Sequence, residues 1–256
     1  MRIARVGYTP LKGGHHTTHD HVDLALDGPV GDREFCLVDP ATGRALRTVQ
    51  HPALVRTVSR WTGTSLTVLL GEETISGVPV GSGEYRTIDY WGRDVPVEMI
   101  NGPWADRFSA FLDHPVQLAR RLRAGDIVYG APVSLITTSS LRALQECLAL
   151  PSSTDLAARF RMTFVVDTGW QPPHVEDRWL GQTLQLGSAT IRVTGQIARC
   201  AVININPGKG TADAPVLQTL SDYRHRAGEI LFGLDAVVVT PGRVTVGDNV
   251  TAVYGR

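Results

Sequence analysis

The stretch QTLQLGSATIRVTGQIARCAVININPGKG, residues 182–210, sets the reading of the whole chain. Apolar and polar residues alternate through TLQL and again through ATIRVTGQIA, the period-2 pattern of strands with one buried face. Gly187-Ser188 divides the two runs, and a glycine-first pair is the signature of a tight two-residue hairpin turn. The second run ends on Arg199-Cys200. AVININP then reads as a further strand, broken by the Asn-Pro-Gly turn.

Working outward, the same pattern recurs in MRIARVGYTP, REFCLVD, SLTVLLG, PVSLITT, RMTFVVD and LDAVVVTPGRVTVGD, each bounded by Gly, Pro or Asp. Helical periodicity is scarce. GPWADRFSAFLDHP places Phe108, Phe111 and Leu112 on one face and stops before Pro115. SSLRALQECLAL places Leu141, Leu144, Cys147 and Leu148 together, with Ser139 or Ser140 as N-cap. A third helix is expected from near Pro215. The fold class is mostly β with short helices, and so many strands are expected to hide their edges by closing into a barrel. The arginine-crowded segment DHPVQLARRLRAGD suggests a division into 1–115 and 116–256.

At 256 residues the chain can bury one large or two small cores. Lys plus Arg and Asp plus Glu both number 25, so there is no basic surplus to suggest a nucleic-acid or membrane-surface partner. Three cysteines in no framework spacing suggest a reducing compartment. The opening MRIARVGYTPLKGG lacks the apolar core of a signal peptide, and no apolar run is long enough for a bilayer. A cytoplasmic location is therefore expected.

Cys36 and Cys147 fall on apolar faces and are expected to pack as small hydrophobes. Cys200 differs, because Arg199 beside it favours a thiolate and NPGKG can turn backbone amides toward an anion. GPVGDREF brings an Asp-Arg pair into a strand, and in ARFRMTFVVD the spacing of Arg159 and Arg161 puts both on one face if the strand begins there. Guanidinium forks suit phosphate, although solvated strand ends account for arginines equally well. No Walker loop or GxGxxG is present, so a phosphate would have to be met by side chains and turns.

The order of these pieces resembles the MOSC-domain family, which is related to the C-terminal domain of molybdenum cofactor sulfurase and includes the mitochondrial amidoxime-reducing component and bacterial relatives. The resemblance rests on YTPLKG (8–13), GPVGDREFCLVD (28–39), LRTVQHPAL (46–54), APVSLITTSSL (131–141), ARFRMTFVVD (158–167), VEDRWLGQTLQLG (175–187), ARCAVININPGKG (198–210) and FGLDAVVVTPGRVTVGDNV (232–250). It implies a β-barrel MOSC domain preceded by a smaller N-terminal β domain. It also implies molybdenum cofactor as ligand, Cys200 as thiolate ligand to molybdenum or persulfide carrier, and Lys12, Arg33, Arg159, Arg161 and Arg199 around the pterin and its phosphate. Ser139 of TTSSL would face the cofactor as well. A soft thiolate suits a soft metal.

Three features depart from that pattern. Met162 stands where relatives often carry proline, and Asn206 replaces an aspartate in the Asp-Pro-x-x-Gly turn. GGHHTTHDHVD (13–23) gathers His15, His16, His19 and His21; with Asp23 these residues are a possible second metal site, against the plainer reading of a polar loop at the pocket mouth. The leading functional expectation is a molybdenum-dependent reductase of N-oxygenated small molecules. Its electrons would come from a separate partner, because the chain carries no iron–sulfur or flavin fingerprint. The alternatives are cysteine-dependent sulfur transfer or C–S bond chemistry without molybdenum, and a non-catalytic carrier of the cofactor.

Overall fold

The computed structural model describes residues 1–151 and 154–253. The hairpin read from the sequence is present: Thr183–Leu186 pairs antiparallel with Ala189–Ala198, and Leu186 faces Ala189 across Gly187-Ser188. Gly187 has φ +53°, and a Cβ there would lie 2.7 Å from the Arg243 carbonyl and against Asp248, so the turn requires glycine. Ala189–Ala198 then pairs with Glu229–Thr240, with register shifts at Thr190/Ile191, Val193/Gly195 and Gln196/Ala198. Each irregularity bends the strand. The strand thus delivers Arg199 and Cys200 at its end instead of running on straight.

This hairpin belongs to a nine-stranded sheet whose order runs Thr17–His19, Arg2–Tyr8, Phe164–Asp167, Val133–Thr137, Glu229–Thr240, Ala189–Ala198, Thr183–Leu186, Val250–Val253, with His225–Arg226 on Glu229–Thr240. A separate ring of strands closes on itself: Val80–Tyr90, Arg93–Asn101, Gln117–Arg121, Phe35–Asp39 and Arg44–Ala45. Hydrogen bonding crosses residue 115 in both directions. Arg2–Tyr8 lies in the sheet of the second half, and Gln117–Arg121 completes the ring of the first. The division at 115/116 stays a proposal about domains, and the sheets do not follow it.

Buried apolar residues form separate cores, one under the large sheet (Val6, Leu135, Phe164, Ile191, Leu234) and one beside the helices (Leu144, Phe160, Val216, Leu220, Phe232). Within and beside the ring, Phe35, Leu54, Trp104 and Phe108 pack in one cluster, and Cys36, Ile88, Tyr90 and Val97 in another. The helix Trp104–Leu112 buries Trp104 and Phe108, leaving Phe111 and Leu112 partly covered, and ends on left-handed Asp113.

The helix Thr138–Cys147 corrects two expectations. Its N-cap is Thr137, whose hydroxyl accepts the Ser140 amide, while Ser139 and Ser140 lie inside the first turn. Cys147 is exposed, because at about 100° per residue it falls roughly a quarter of a turn from the centre of the stripe of Leu141, Leu144 and Leu148. AVININP is also not a strand. Ala201–Asn204 is a 3₁₀ turn, in which Ile203 donates to the Cys200 carbonyl and Asn204 accepts the Leu217 amide through its side chain. Asparagine side chains that bond nearby backbone compete with a ladder, and here they win.

Candidate functional site

A cleft of ≈ 180 Å³ is lined by Lys12, Arg33, Tyr129, Ser134, Phe160, Arg161, Met162, Arg199 and Asp235. Four of the cations singled out from the sequence therefore meet at one place, although they lie in segments as far apart as YTPLKG and ARC.

Each is held by a local device. Lys12 follows an isolated parallel bridge between Leu11 and Phe35, and its amide donates to the Phe35 carbonyl at 2.8 Å. Arg33 sits just before the strand Phe35–Asp39 at φ +45° and pairs with buried Asp32 at 2.9 Å. Arg161 closes the short helix Leu156–Phe160 as a left-handed C-cap with φ +55°. Arg33 and Arg161 are thus two of the seven non-glycine residues with positive φ among the described residues, and both line the cleft.

The helix that carries Arg161 overturns a sequence expectation. Asp155 caps it by accepting the Ala158 amide, so the strand begins only at Phe164 and Arg159 and Arg161 do not share a face. Arg159 is buried away from the cleft, donating to Asp213 at 2.5 Å and to the Asn204 carbonyl at 3.0 Å. Ser139 is also elsewhere. Its hydroxyl lies 3.1 Å from those of Thr137 and Thr168, in a buried network in which Thr137 and Ser140 donate to Glu176.

Arg199 lines the cleft but its fork serves the wall. Nε donates to the Phe232 carbonyl (2.7 Å), Nη1 reaches the Phe160 carbonyl (3.5 Å), Nη2 points to Met162 Sδ (3.3 Å), and the guanidinium stacks 5.2 Å from the Phe160 ring. Met162 takes this place because Gly233 has no side chain; a Cβ there would collide with Met162 Cε and lie 3.0 Å from Arg199 Nη2. Cys200 is exposed directly beyond Arg199. It is not among the residues that line the cleft, and stands at its edge, near enough to Lys12 for the two to interact electrostatically. Cys36, by contrast, is buried in the ring, and burial pushes its thiol up to about 12, which keeps it an inert packing group.

Charge is unbalanced here. Burial, then the Arg161 and Arg33 charges, pull the Lys12 ammonium from its usual 10.5 down to about 7. Burial and Arg33 bring Arg161 down to about 10, still a cation at neutral pH. Arg161 donates only to the Gly13 carbonyl at 3.4 Å, and neither it nor Lys12 joins an ion pair among the described residues. Asp235, on the cleft wall, is raised from its usual range chiefly by burial. Sequence reasoning missed Asp235, Ser134 and Tyr129: the first two lie inside β runs, where a single polar residue gives no sign of which face it takes, and Tyr129 lies on a connecting loop.

The histidines disperse. His15 Nδ1 lies 3.1 Å from the Val55 carbonyl, and His16 is buried against Gly7. His19 stacks on Tyr8 with centroids 3.8 Å apart, and His21 is exposed in the next strand, where Asp23 pairs with Arg243 at 2.8 Å. Among the described residues no three His, Cys, Asp or Glu side chains form a metal-binding group, so the four histidines do not come together as the second metal site weighed from the sequence. His16 has a different interest. Among the described residues both ring nitrogens lack partners, and burial, then Arg161 and Arg33, hold the ring neutral, well below its usual range.

Asn206 has a clear reason to be an amide. Its Oδ1 accepts the Gly208 and Lys209 amides while its Nδ2 donates to Asp213, the carboxylate that also holds Arg159. Burial raises Asp213, but these two donors outweigh it and keep the group below the usual carboxylate range. An aspartate at 206 would lose the donor and set one carboxylate against another. Asn206→Asp is therefore expected to cost about 1–3 kcal/mol, read as a lower midpoint in urea unfolding; an unchanged midpoint would show that the Asp213–Arg159 pair needs no help.

Comparison with known proteins places these observations. The model of the MOSC domain matches residues 116–251. Molybdenum cofactor sulfurase from Solanum lycopersicum is 36% identical over 78 residues, 30% of this chain and 9% of that protein. The protein of the same name from Aspergillus niger is 25% identical over 319 aligned residues, covering 91% of this chain and 38% of that protein. The chain thus spans well under half the length of these relatives. Among solved structures, the YuaD protein from Bacillus subtilis superposes with a TM-score of 0.46 at 12% identity, covering 97% of this chain and 93% of its own. YiiM from Geobacillus stearothermophilus gives 0.33 at 16% identity over 48% and 54%.

Proposed function

The chain belongs to the MOSC domain family, and on that premise we propose that its cleft holds molybdenum cofactor and that the protein reduces N-oxygenated or similar small molecules. The observation that carries the proposal is the meeting of Lys12, Arg33 and Arg161 with too few carboxylates to balance them. Such a cluster, backed by a neutral buried imidazole with unpartnered nitrogens, has the chemistry of an anion site, and a pterin phosphate fits it. Lys12 and the forks of Arg33 and Arg161 would hold the phosphate, while Arg199 stiffens the wall. Cys200 would provide the thiolate to molybdenum, which when bound supplies the two-electron chemistry. Asp235, on the cleft wall, would relay one of the two protons that reduction of an N–O bond to amine and water consumes, the second coming from solvent. The electrons would come from a separate donor protein.

A second reading rests on the exposure of Cys200 and on relatives named molybdenum cofactor sulfurase: the same thiolate would carry a persulfide and pass sulfur on without molybdenum. The protein should be isolated from a host that makes the cofactor and its metal measured. About one molybdenum per chain, with turnover of an N-hydroxylated substrate by a chemical reductant, supports the reductase. Molybdenum without turnover makes it a carrier, and a cyanide-releasable sulfur with no molybdenum makes it a sulfur-transfer protein.

A further inference from the structure

The hairpin Val80–Tyr90/Arg93–Asn101 closes through Trp91-Gly92, whose φ values are +54° and +80°. Two positive φ values define the primed type I turn, which asparagine or glycine fills with least strain. A tryptophan in this region is a steric outlier, costing on the order of 1–2 kcal/mol. Strain of that kind persists where the side chain serves a purpose.

The indole lies against one cation of the cleft, Lys12. The Lys12 ammonium lies 4.4 Å from the Trp91 ring centre and 5.8 Å from that of Tyr90, and the Arg47 guanidinium sits 5.3 Å from Trp91. The charged groups facing Lys12 are otherwise Arg33 and Arg161, both repulsive. Trp91 is half-buried: one side packs on the core around Cys36, Ile88 and Tyr90, with its ring 4.5 Å from that of Tyr90, and the Lys12 ammonium lies over its face. A ring face attracts an ammonium by about 0.5–2 kcal/mol according to how far the pair is desolvated.

We propose that Trp91 is a positioning residue: its ring holds the Lys12 ammonium at the cleft, against the repulsion of Arg33 and Arg161, ready to meet an anion. This rests on the anion-binding reading of the cleft.

The test is a double-mutant cycle read by calorimetric titration with sodium sulfate, a dianion at all working pH values. Trp91→Leu keeps an apolar side chain and the turn strain but removes the ring face. It should weaken sulfate binding about fivefold, the equivalent of roughly 1 kcal/mol. Trp91→Phe should lose less. In a Lys12→Met background, Trp91→Leu should have no further effect, because the ring then has no ammonium to hold. A purely structural Trp91 would weaken binding by the same factor in both backgrounds, and that result overturns the proposal. So does parent-like affinity in Trp91→Leu when Arg161→Ala weakens binding. If sulfate does not bind the parent, or Arg161→Ala binds as the parent does, the anion-site reading fails first and the role of Trp91 falls with it. Thermal unfolding of Trp91→Phe checks that the hairpin is intact in a variant that keeps a ring.

Discussion

Cys200→Ser is expected to remove bound molybdenum and lower turnover by more than about a hundredfold, since a hydroxyl is a far poorer ligand than a thiolate for a soft metal. The comparison with the other cysteines makes this result specific. Cys36 is fully enclosed in the ring beside Ile88, Val97 and Tyr90, so Cys36→Ser buries a hydroxyl and should cost about 1–3 kcal/mol of stability while sparing the chemistry. Cys147 is exposed at the end of its helix, and Cys147→Ala should change stability by less than about 0.5 kcal/mol. Metal analysis and unfolding midpoints on the three variants separate these outcomes. Wild-type turnover in Cys200→Ser would sink both the reductase and the sulfur-transfer readings.

The second large effect contrasts two arginines that stand two residues apart. Arg161→Ala should release the cofactor or weaken sulfate binding by about ten- to a hundredfold, the range for a lost charge-assisted contact. Arg161→Lys should recover only part of it, because an ammonium cannot make the paired contacts of a guanidinium fork. Arg159→Ala should act differently. It leaves Asp213 facing Asn206 alone and should lower stability by about 2–3 kcal/mol, leaving anion affinity in the folded protein near the parent value. Equal losses of affinity in the two alanine variants would mean that the cleft has been drawn around the wrong residues.

Lys12 adds a pH dependence whose sign is set by its lowered ammonium, held at about 7 against 10.5 in the unfolded chain. Only the protonated form attracts an anion, so sulfate affinity should fall as pH rises from 6 to 8 and stay nearly flat in Lys12→Met. Stability of the anion-free protein should move the opposite way. Between about pH 7 and 10.5 the unfolded chain binds the extra proton, and stability therefore rises with pH across that window.

Much of the architecture follows from local chemistry that a sequence displays. The alternation in 183–198 and the glycine-first pair at 187–188 can form only a tight hairpin, because a one-residue slip would turn Leu184, Leu186, Ile191 and Val193 out to water. The isolation of Cys200 from the apolar patterns, and the Asp-Arg pair at 32–33, are likewise visible as residue types in order. Other features were settled by tertiary structure alone. Whether Arg159 joins Arg161 depended on Asp155 capping a five-residue helix and on Asp213, 54 positions away, being within reach of a buried guanidinium. Four closely spaced histidines looked like a cluster, yet His16, just before the strand Thr17–His19, is buried while His21, in the strand His21–Ala25, is exposed, and spacing along a chain does not fix distance in the fold. The cleft itself joins a lysine, a strained arginine before a strand, a helix cap and a bulged strand end. Nothing local encodes their meeting: the sheet that pairs Arg2–Tyr8 with Phe164–Asp167, and the bridge of Leu11 to Phe35, bring those backbones together, and the charges of the site follow from that pairing.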